Sequence, residues 1–147
     1  RAIVVTGAAP DVVPPAIADH LVLRHNDRWA DGQLSSLLVG MDAAGELGAD
    51  DIVVGLADQP GIAPSDWRAV AGAAGSIVVV TYAGRRANPV KLDTEAQQLI
   101  RTLLPGTGDE GARALMRLRP ELVREVPCTG SPDDIDTEED LRRWQNS

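Results

Sequence analysis

Asp58 is the residue best placed for chemistry in this 147-residue chain. It follows directly on the apolar run from Asp51 to Ala57 and opens Asp58-Gln59-Pro60-Gly61. In open α/β sheets, loops and helix starts converge just past the C-terminal ends of buried strands, and ligands bind there. A carboxylate at that point can hold Mg²⁺, which takes one or two protein carboxylates and completes its shell with phosphate oxygens and water. The same four residues equally suit a plain turn. A second acidic group is Pro132-Asp133-Asp134-Ile135-Asp136-Thr137. Alternation along an extended segment sets Asp134 and Asp136 on one side and Ile135 on the other. A cation would relieve the repulsion between the two carboxylates. N-capping by Asp136 or Thr137, ahead of Glu138-Glu139-Asp140, explains these residues without a ligand, and both readings can hold together.

Three further places could receive part of a ligand. Gly108-Asp109-Glu110-Gly111-Ala112-Arg113 opens a helical stretch whose free N–H groups could cradle a phosphate, with Arg113 one turn in. Asp109 is equally a plain N-cap. Gly32-Gln33-Leu34-Ser35-Ser36 opens another helix, where N–H groups and hydroxyls could hold a base or a ribose, or simply cap. Arg85, Arg86 and Asn88 put two cations and an amide into Gly84-Arg85-Arg86-Ala87-Asn88-Pro89, read as a basic loop. They can neutralise a phosphate, or face water with no ligand.

Other chemistries lack their parts. His20 and His25 form no metal set, and Cys128 is the only cysteine. A single cysteine permits no intrachain disulfide and fits a reducing cytoplasm. No Gly-x-Ser-x-Gly elbow or Walker A loop occurs. The net charge of −8 and pI near 4.6 come without a basic stripe, which argues against nucleic acid as a partner. No apolar run reaches the length of a membrane span.

The elements that must position these residues alternate between two periods. Strands are expected at Ala2–Thr6, Leu21–Leu23, Asp51–Ala57, Ser76–Tyr82 and Leu122–Val126, each a short run rich in β-branched residues. A helical turn is expected around Ile17–His20. Helices are expected at Ser35–Leu47, from Ser65 as N-cap through Ala74, at Thr94–Leu104, at Glu110–Leu118, and at Glu138–Gln145 behind Thr137. Strands alternating with helices predict one α/β domain over residues 1–147, with a mostly parallel sheet covered on both faces.

Taken in order, these segments resemble the MobA-like NTP transferases, specifically the molybdenum cofactor cytidylyltransferase branch. The resemblance is carried by Asn26-Asp27-Arg28-Trp29-Ala30-Asp31-Gly32 leading into Ser35-Ser36-Leu37, and by Leu56-Ala57-Asp58-Gln59-Pro60. Gly84 to Val90, Gly108 to Arg113, and Asp134-Ile135-Asp136-Thr137 complete it. It implies a Rossmann-like, three-layer α/β/α sandwich of the nucleotide-diphospho-sugar transferase type. Asp58 and Asp136 would be the catalytic Mg²⁺ carboxylates, with Asp134 a further metal ligand. Gly32 and Ser36, with Asp58, would bind the nucleotide, and Arg86, Asn88, Asp109 and Arg113 would face the pterin phosphate. The implied reaction is attack of molybdopterin phosphate on the α-phosphate of CTP or another NTP, with loss of pyrophosphate. A molybdoenzyme or its maturation factor is the implied protein partner.

Two alternatives belong beside it. One is a noncatalytic homologue that binds molybdenum cofactor or a molybdoenzyme. The other is a nucleotidyltransferase for a different phosphorylated small molecule. The family opens with a strand and a glycine-rich triphosphate loop that these residues do not contain, so the isolated chain is expected to be inactive. Ala87, Asn88 and Lys91 depart from the family's usual residues.

Overall fold

The computed structural model describes residues 1–106 and 108–146. They divide into two compact units that interleave along the chain. The first comprises Arg1–Ile52 and Asp93–Glu121, the second Val53–Leu92 and the residues from Leu122 on.

In the first unit β1 (Ala2–Thr6) and β2 (Leu21–His25) pair in parallel, with Thr6 opposite His25. The short α1 (Pro15–Ala18) lies between them in sequence. A right-handed crossover cannot be made by two residues, so parallel pairing needs this intervening stretch. α2 (Gln33–Glu46) packs on both strands and buries Leu34, Leu37, Met41, Ala43 and Ala44. Those positions recur at three- and four-residue spacing, which is the one-sided stripe that a helix needs to cover a sheet. α4 (Thr94–Leu103) and α5 (Ala112–Leu118) complete the unit, burying Ala96, Ile100, Leu115 and Met116. The N-terminus of α4 is capped by Asp93, whose carboxylate accepts from the Ala96 N–H at 2.9 Å.

The second unit is built on a four-stranded sheet in the order β3-β5-β4-β6. Its strands are β3 (Ile52–Val54), β4 (Ile77–Tyr82), β5 (Arg85–Leu92) and β6 (Val123–Cys128). All six residues of β4 are buried, which explains its unbroken apolar reading. β6 runs parallel to β4 and β5 antiparallel to it. α3 (Pro64–Gly72) covers one face through Val70, which joins Val78, Val80 and Tyr82 in the core. α6 (Glu138–Gln145) closes the chain.

Several expectations hold and several change. β1, β4, α2, α4 and α6 stand within two residues of where the patterns put them. The basic loop at 84–89 is instead the first part of β5. Ala83 and Gly84 both have positive φ, 49° and 78°, as a two-residue hairpin turn requires. Its ladder jumps from Val79 opposite Val90 to Val80 opposite Ala87. That bulge removes Asn88 and Pro89 from pairing with β4, so a proline can sit inside the strand. β3 stops at Val54, three residues short of the expected run. At Gly55 a Cβ would overlap the indole of Trp67. Ser65 is not the cap of α3: Ala63 is, with Pro64 in the first turn and no side-chain cap. α5 begins at Ala112, behind Gly111 at φ 50°, so Asp109 does not cap it.

Lys91, which replaces an expected apolar residue, is buried on β5. Its ammonium donates to the carbonyl of Ala73 at 2.8 Å, at the C-terminal end of α3. A cation at that end compensates the helix dipole and caps a free carbonyl, which is how a lysine is accommodated inside. No helix among the described residues is long and apolar enough to cross a membrane.

Candidate functional site

In the second unit, the loop after β3 and the acidic segment before α6 are joined. The N–H of Ile135 donates to the carbonyl of Asp58 at 2.8 Å. Gly61 lies against Ser131, close enough that a Cβ would approach its carbonyl oxygen to 3.1 Å. The two acidic stretches, far apart in sequence, are thereby neighbours through backbone contact. Asp58, Asp134 and Asp136 are exposed, whereas Ile135 is half-buried. This is the alternation expected of an extended segment with its acids outward.

Capping of α6 falls to Thr137 and not to Asp136. The Thr137 hydroxyl accepts from the Asp140 N–H at 3.1 Å, and the Asp140 carboxylate accepts from the Thr137 N–H at 3.0 Å. This reciprocal box satisfies the helix start without Asp136. The Asp140 carboxyl is held below its ordinary value, chiefly by the Thr137 hydroxyl. Asp134 is engaged differently, accepting from Gln59 Nε2 at 2.6 Å.

Among the described residues no three His, Cys, Asp or Glu side chains are grouped as a ready-made metal cage. The trio Asp58, Asp134 and Asp136 is therefore not gathered into a three-carboxylate cluster. Mg²⁺ does not demand one, because one or two carboxylates with phosphate oxygens and water fill its octahedron. The donor set fits such an ion: hard carboxylate oxygens, exposed, on two segments tied together at Asp58 and Ile135.

Arg86 and Asn88 lie on β5 in the same unit. Arg86 Nε donates to Glu125 Oε1 on β6 at 2.6 Å, each side chain about half exposed. Asn88, skipped in the pairing with β4, donates through Nδ2 to Gln59 Oε1 at 3.2 Å. Gln59 and the buried Asp66 are the polar residues that sequence reasoning passed over. Asp66 in the first turn of α3 is 4% exposed. Its Oδ2 accepts from the Tyr82 hydroxyl at 3.0 Å, and Ser65 Oγ lies 3.3 Å from Oδ1. A Cβ at Gly130 would overlap this carboxylate. Burial first, and then Asp66, push the Tyr82 phenol well above its ordinary value and raise the Cys128 thiol as well. The only sequence signal for Asp66 was an acid in a first helical turn, a position that ordinarily faces water.

The first unit holds Gly32, Ser36, Asp109 and Arg113. Gly32 has φ 100° and precedes α2. A Cβ there would lie 2.6 Å from the backbone of Gly108, so close approach of the two segments requires glycine. Leu34 N–H donates to Gly108 O at 2.9 Å, and Gly108 N–H to Asp31 O at 2.8 Å. Two segments singled out separately in sequence thus meet here. Asn26 Nδ2 donates to Ser35 Oγ at 2.8 Å and to Ser36 Oγ at 3.0 Å. Ser36 thereby has its oxygen occupied as an acceptor, with its own hydroxyl proton still to place. A shallow cavity of about 280 Å³ opens beside this helix start, with Asn26, Arg28 and Ser35 in its lining. Asp109 and Arg113 are exposed, and Glu110 pairs with Arg117, which holds the Glu110 carboxyl below its ordinary value.

Comparison with known proteins gives the family. The sequence profile of the "MobA-like NTP transferase domain" matches residues 1–126. The purine catabolism protein PucB of Bacillus subtilis is 36% identical over 113 residues, 74% of this chain and 54% of its own length. Nicotine blue oxidoreductase of Paenarthrobacter nicotinovorans is 31% identical over 134 residues, 84% of this chain and 63% of its own length. The chain therefore spans between about half and two thirds of these curated relatives. Among solved structures, Rv0371c of Mycobacterium tuberculosis superposes with TM-score 0.75 at 30% identity, covering 99% of this chain and 75% of that one. Its complex with manganese superposes with TM-score 0.67 at 28% identity, covering 99% and 77%. A nucleotidyl transferase of Methanothermobacter superposes with TM-score 0.73 at 28% identity, covering 98% and 71%. The fold is the α/β fold of these solved structures, the Methanothermobacter nucleotidyl transferase among them.

Proposed function

Because the chain belongs to the MobA-like NTP transferase family, we propose that it transfers a nucleotidyl group from an NTP, CTP foremost, to molybdopterin or molybdenum cofactor, releasing pyrophosphate. The observation that carries this reading is the Ile135 N–H to Asp58 carbonyl bond. It supports a joint grip on one divalent cation by Asp58 and Asp136. Manganese bound by the M. tuberculosis relative supports a divalent ion in this fold.

Mg²⁺, when bound, supplies charge neutralisation at the α-phosphate and at the departing pyrophosphate. The remaining work belongs to the chain. Asp58 and Asp136 set the position of the phosphate under attack. Gly32 and Ser36 hold the nucleotide, Ser36 through the hydroxyl proton that Asn26 leaves uncommitted. Arg86 and Asn88, in the same unit as Asp58 and Asp136, receive the acceptor. Arg86 is paired with Glu125, but an ion pair this exposed is weak and can exchange for a phosphate. A phosphate-monoester acceptor is already dianionic near neutral pH, its second pKa being about 6. Attack by its oxygen therefore needs no general base, and alignment becomes the main contribution of the protein.

Titration of the full-length protein, glycine-rich loop included, with CTP, GTP and ATP, with and without Mg²⁺, tests the reading, with pyrophosphate release in the presence of molybdopterin as the second measurement. CTP-selective, metal-dependent binding is expected. Asp58→Asn should lower turnover by about a hundredfold with an unchanged melting curve. Full turnover in that variant removes Asp58 from the site, and release of pyrophosphate only with another phosphorylated acceptor replaces molybdopterin as the substrate.

A further inference from the structure

Gln59 is half-buried between the two acidic segments, and both ends of its amide are in use. Nε2 donates to Asp134 Oδ1 at 2.6 Å and to the carbonyl of Pro132 at 3.3 Å. Oε1 accepts from Asn88 Nδ2 at 3.2 Å. One side chain thus joins three pieces of backbone: the loop after β3, the bulge of β5 and the segment before α6. The amide has a defined orientation, because acceptors lie at its nitrogen end and a donor at its oxygen end. Neither loop has a regular strand ladder at this point. Among the described residues, these amide bonds join the Ile135 to Asp58 backbone bond in tying the two loops.

We infer that Gln59 is a positioning residue that sets the spacing of Asp58 and Asp136, and that Asp134 serves as its acceptor and not as a third metal ligand. The inference rests on the metal reading of Asp58 and Asp136 given above. Asp134 Oδ1 receives a short bond from the amide, and an acid engaged in this way can hold the loop without touching the ion. Gln59 adjoins Asp58, and Asp134 is two residues from Asp136, so the amide bond spans the gap between the two proposed ligands. Asn88 takes part from outside, holding the amide in its working orientation. Replacing Gln59 by glutamate keeps the shape but sets a second carboxylate against Asp134. Replacing it by leucine keeps the bulk and removes all three bonds.

The test is Mn²⁺ binding, followed by electron paramagnetic resonance of the free ion, on Gln59→Leu, Gln59→Glu, Asp134→Asn and the double variant Gln59→Leu/Asp134→Asn. Melting curves on each report folding. Support for an outer-shell partner of this kind predicts about tenfold weaker Mn²⁺ binding in each single variant. The double variant should be no weaker than the worse single one, since both remove the same bond. Asn88→Ala, which deletes only the orienting donor, should weaken binding in the same direction by a smaller factor. It carries the test if a Gln59 variant fails to fold. Wild-type affinity in the folded Gln59 and Asn88 variants, with affinity lost in Asp58→Asn, overturns the clamp and leaves the metal reading intact. Loss of binding in Asp134→Asn as complete as in Asp58→Asn makes Asp134 a ligand and also overturns it. Unchanged binding in Asp58→Asn overturns the metal reading itself.

Discussion

Tyr82 is the only tyrosine in the chain, so its ionisation can be read directly from the tyrosinate absorbance. Its hydroxyl donates to Asp66 at 3.0 Å, in a place where both residues are buried. A hydrogen bond to a buried charged acceptor contributes about 1.5–3 kcal/mol. Tyr82→Phe removes the shorter of the two oxygen donors at Asp66, leaving Ser65 at 3.3 Å and the weak thiol donor of Cys128. Gly130 is pressed against the same carboxylate, so water has little room to replace the phenol. The expected loss is about 2 kcal/mol, or roughly 6 °C in melting temperature at about 3 °C per kcal/mol for a chain of this size. The pH dependence has a sign. The folded phenol is held protonated above its ordinary value of about 10 by burial and by Asp66. Its stabilisation is fully present below about pH 10 and is lost as pH rises toward the folded value, by at most about 1.4 kcal/mol per pH unit. Denaturant melts from pH 8 to 11 on wild type and Tyr82→Phe should show that extra slope in the wild type alone. Far-UV circular dichroism on the same samples separates ionisation from unfolding. A phenol that titrates near its ordinary value in the folded protein refutes the argument, as does a variant melting within about one degree of wild type.

Two glycines of the first unit should respond with opposite signs. Gly32→Ala forces a Cβ against Gly108 at φ 100° and should lower stability by on the order of 2 kcal/mol, read as a drop in melting temperature. Gly45→Ala, inside α2 with nothing within 4 Å, should instead raise stability by about 0.5–1 kcal/mol. Equal effects of the two substitutions would refute the close approach at Gly32. Cys128 should alkylate slowly with iodoacetamide at neutral pH, its rate rising only above the ordinary thiol range. Burial and the nearby Asp66 both disfavour the thiolate. A rate already at its plateau near pH 8 contradicts that.

Much of the scaffold was legible because its causes are local. The run Ile77–Tyr82 is buried along its whole length, and its uniform apolar character is the direct record of that burial. α4 announces itself by apolar spacing and α6 by Thr137 at its start. The alternation of Asp134 and Asp136 around Ile135 was also open to reading, since it depends on neighbouring residues alone, whereas the end of β3 ahead of Asp58 was not, because Trp67 packs on Gly55.

Other features depend on partners distant in the chain. β5 hides behind two arginines, an asparagine and a proline, and only pairing with β4 across a bulge makes those residues a strand. Lys91 and Asp66 are charged groups inside the protein, made tolerable by the carbonyl of Ala73 and the hydroxyl of Tyr82. No spacing rule exposes such pairs, because burying a charge is decided by the group that meets it. Gln59 and Asp134 lie 75 positions apart. Side-chain type and local period determine which face of an element is apolar and where a helix can begin. They carry no information about which two loops touch, because that contact follows from strand order and from the packing of the sheet, which exist only once the chain has folded.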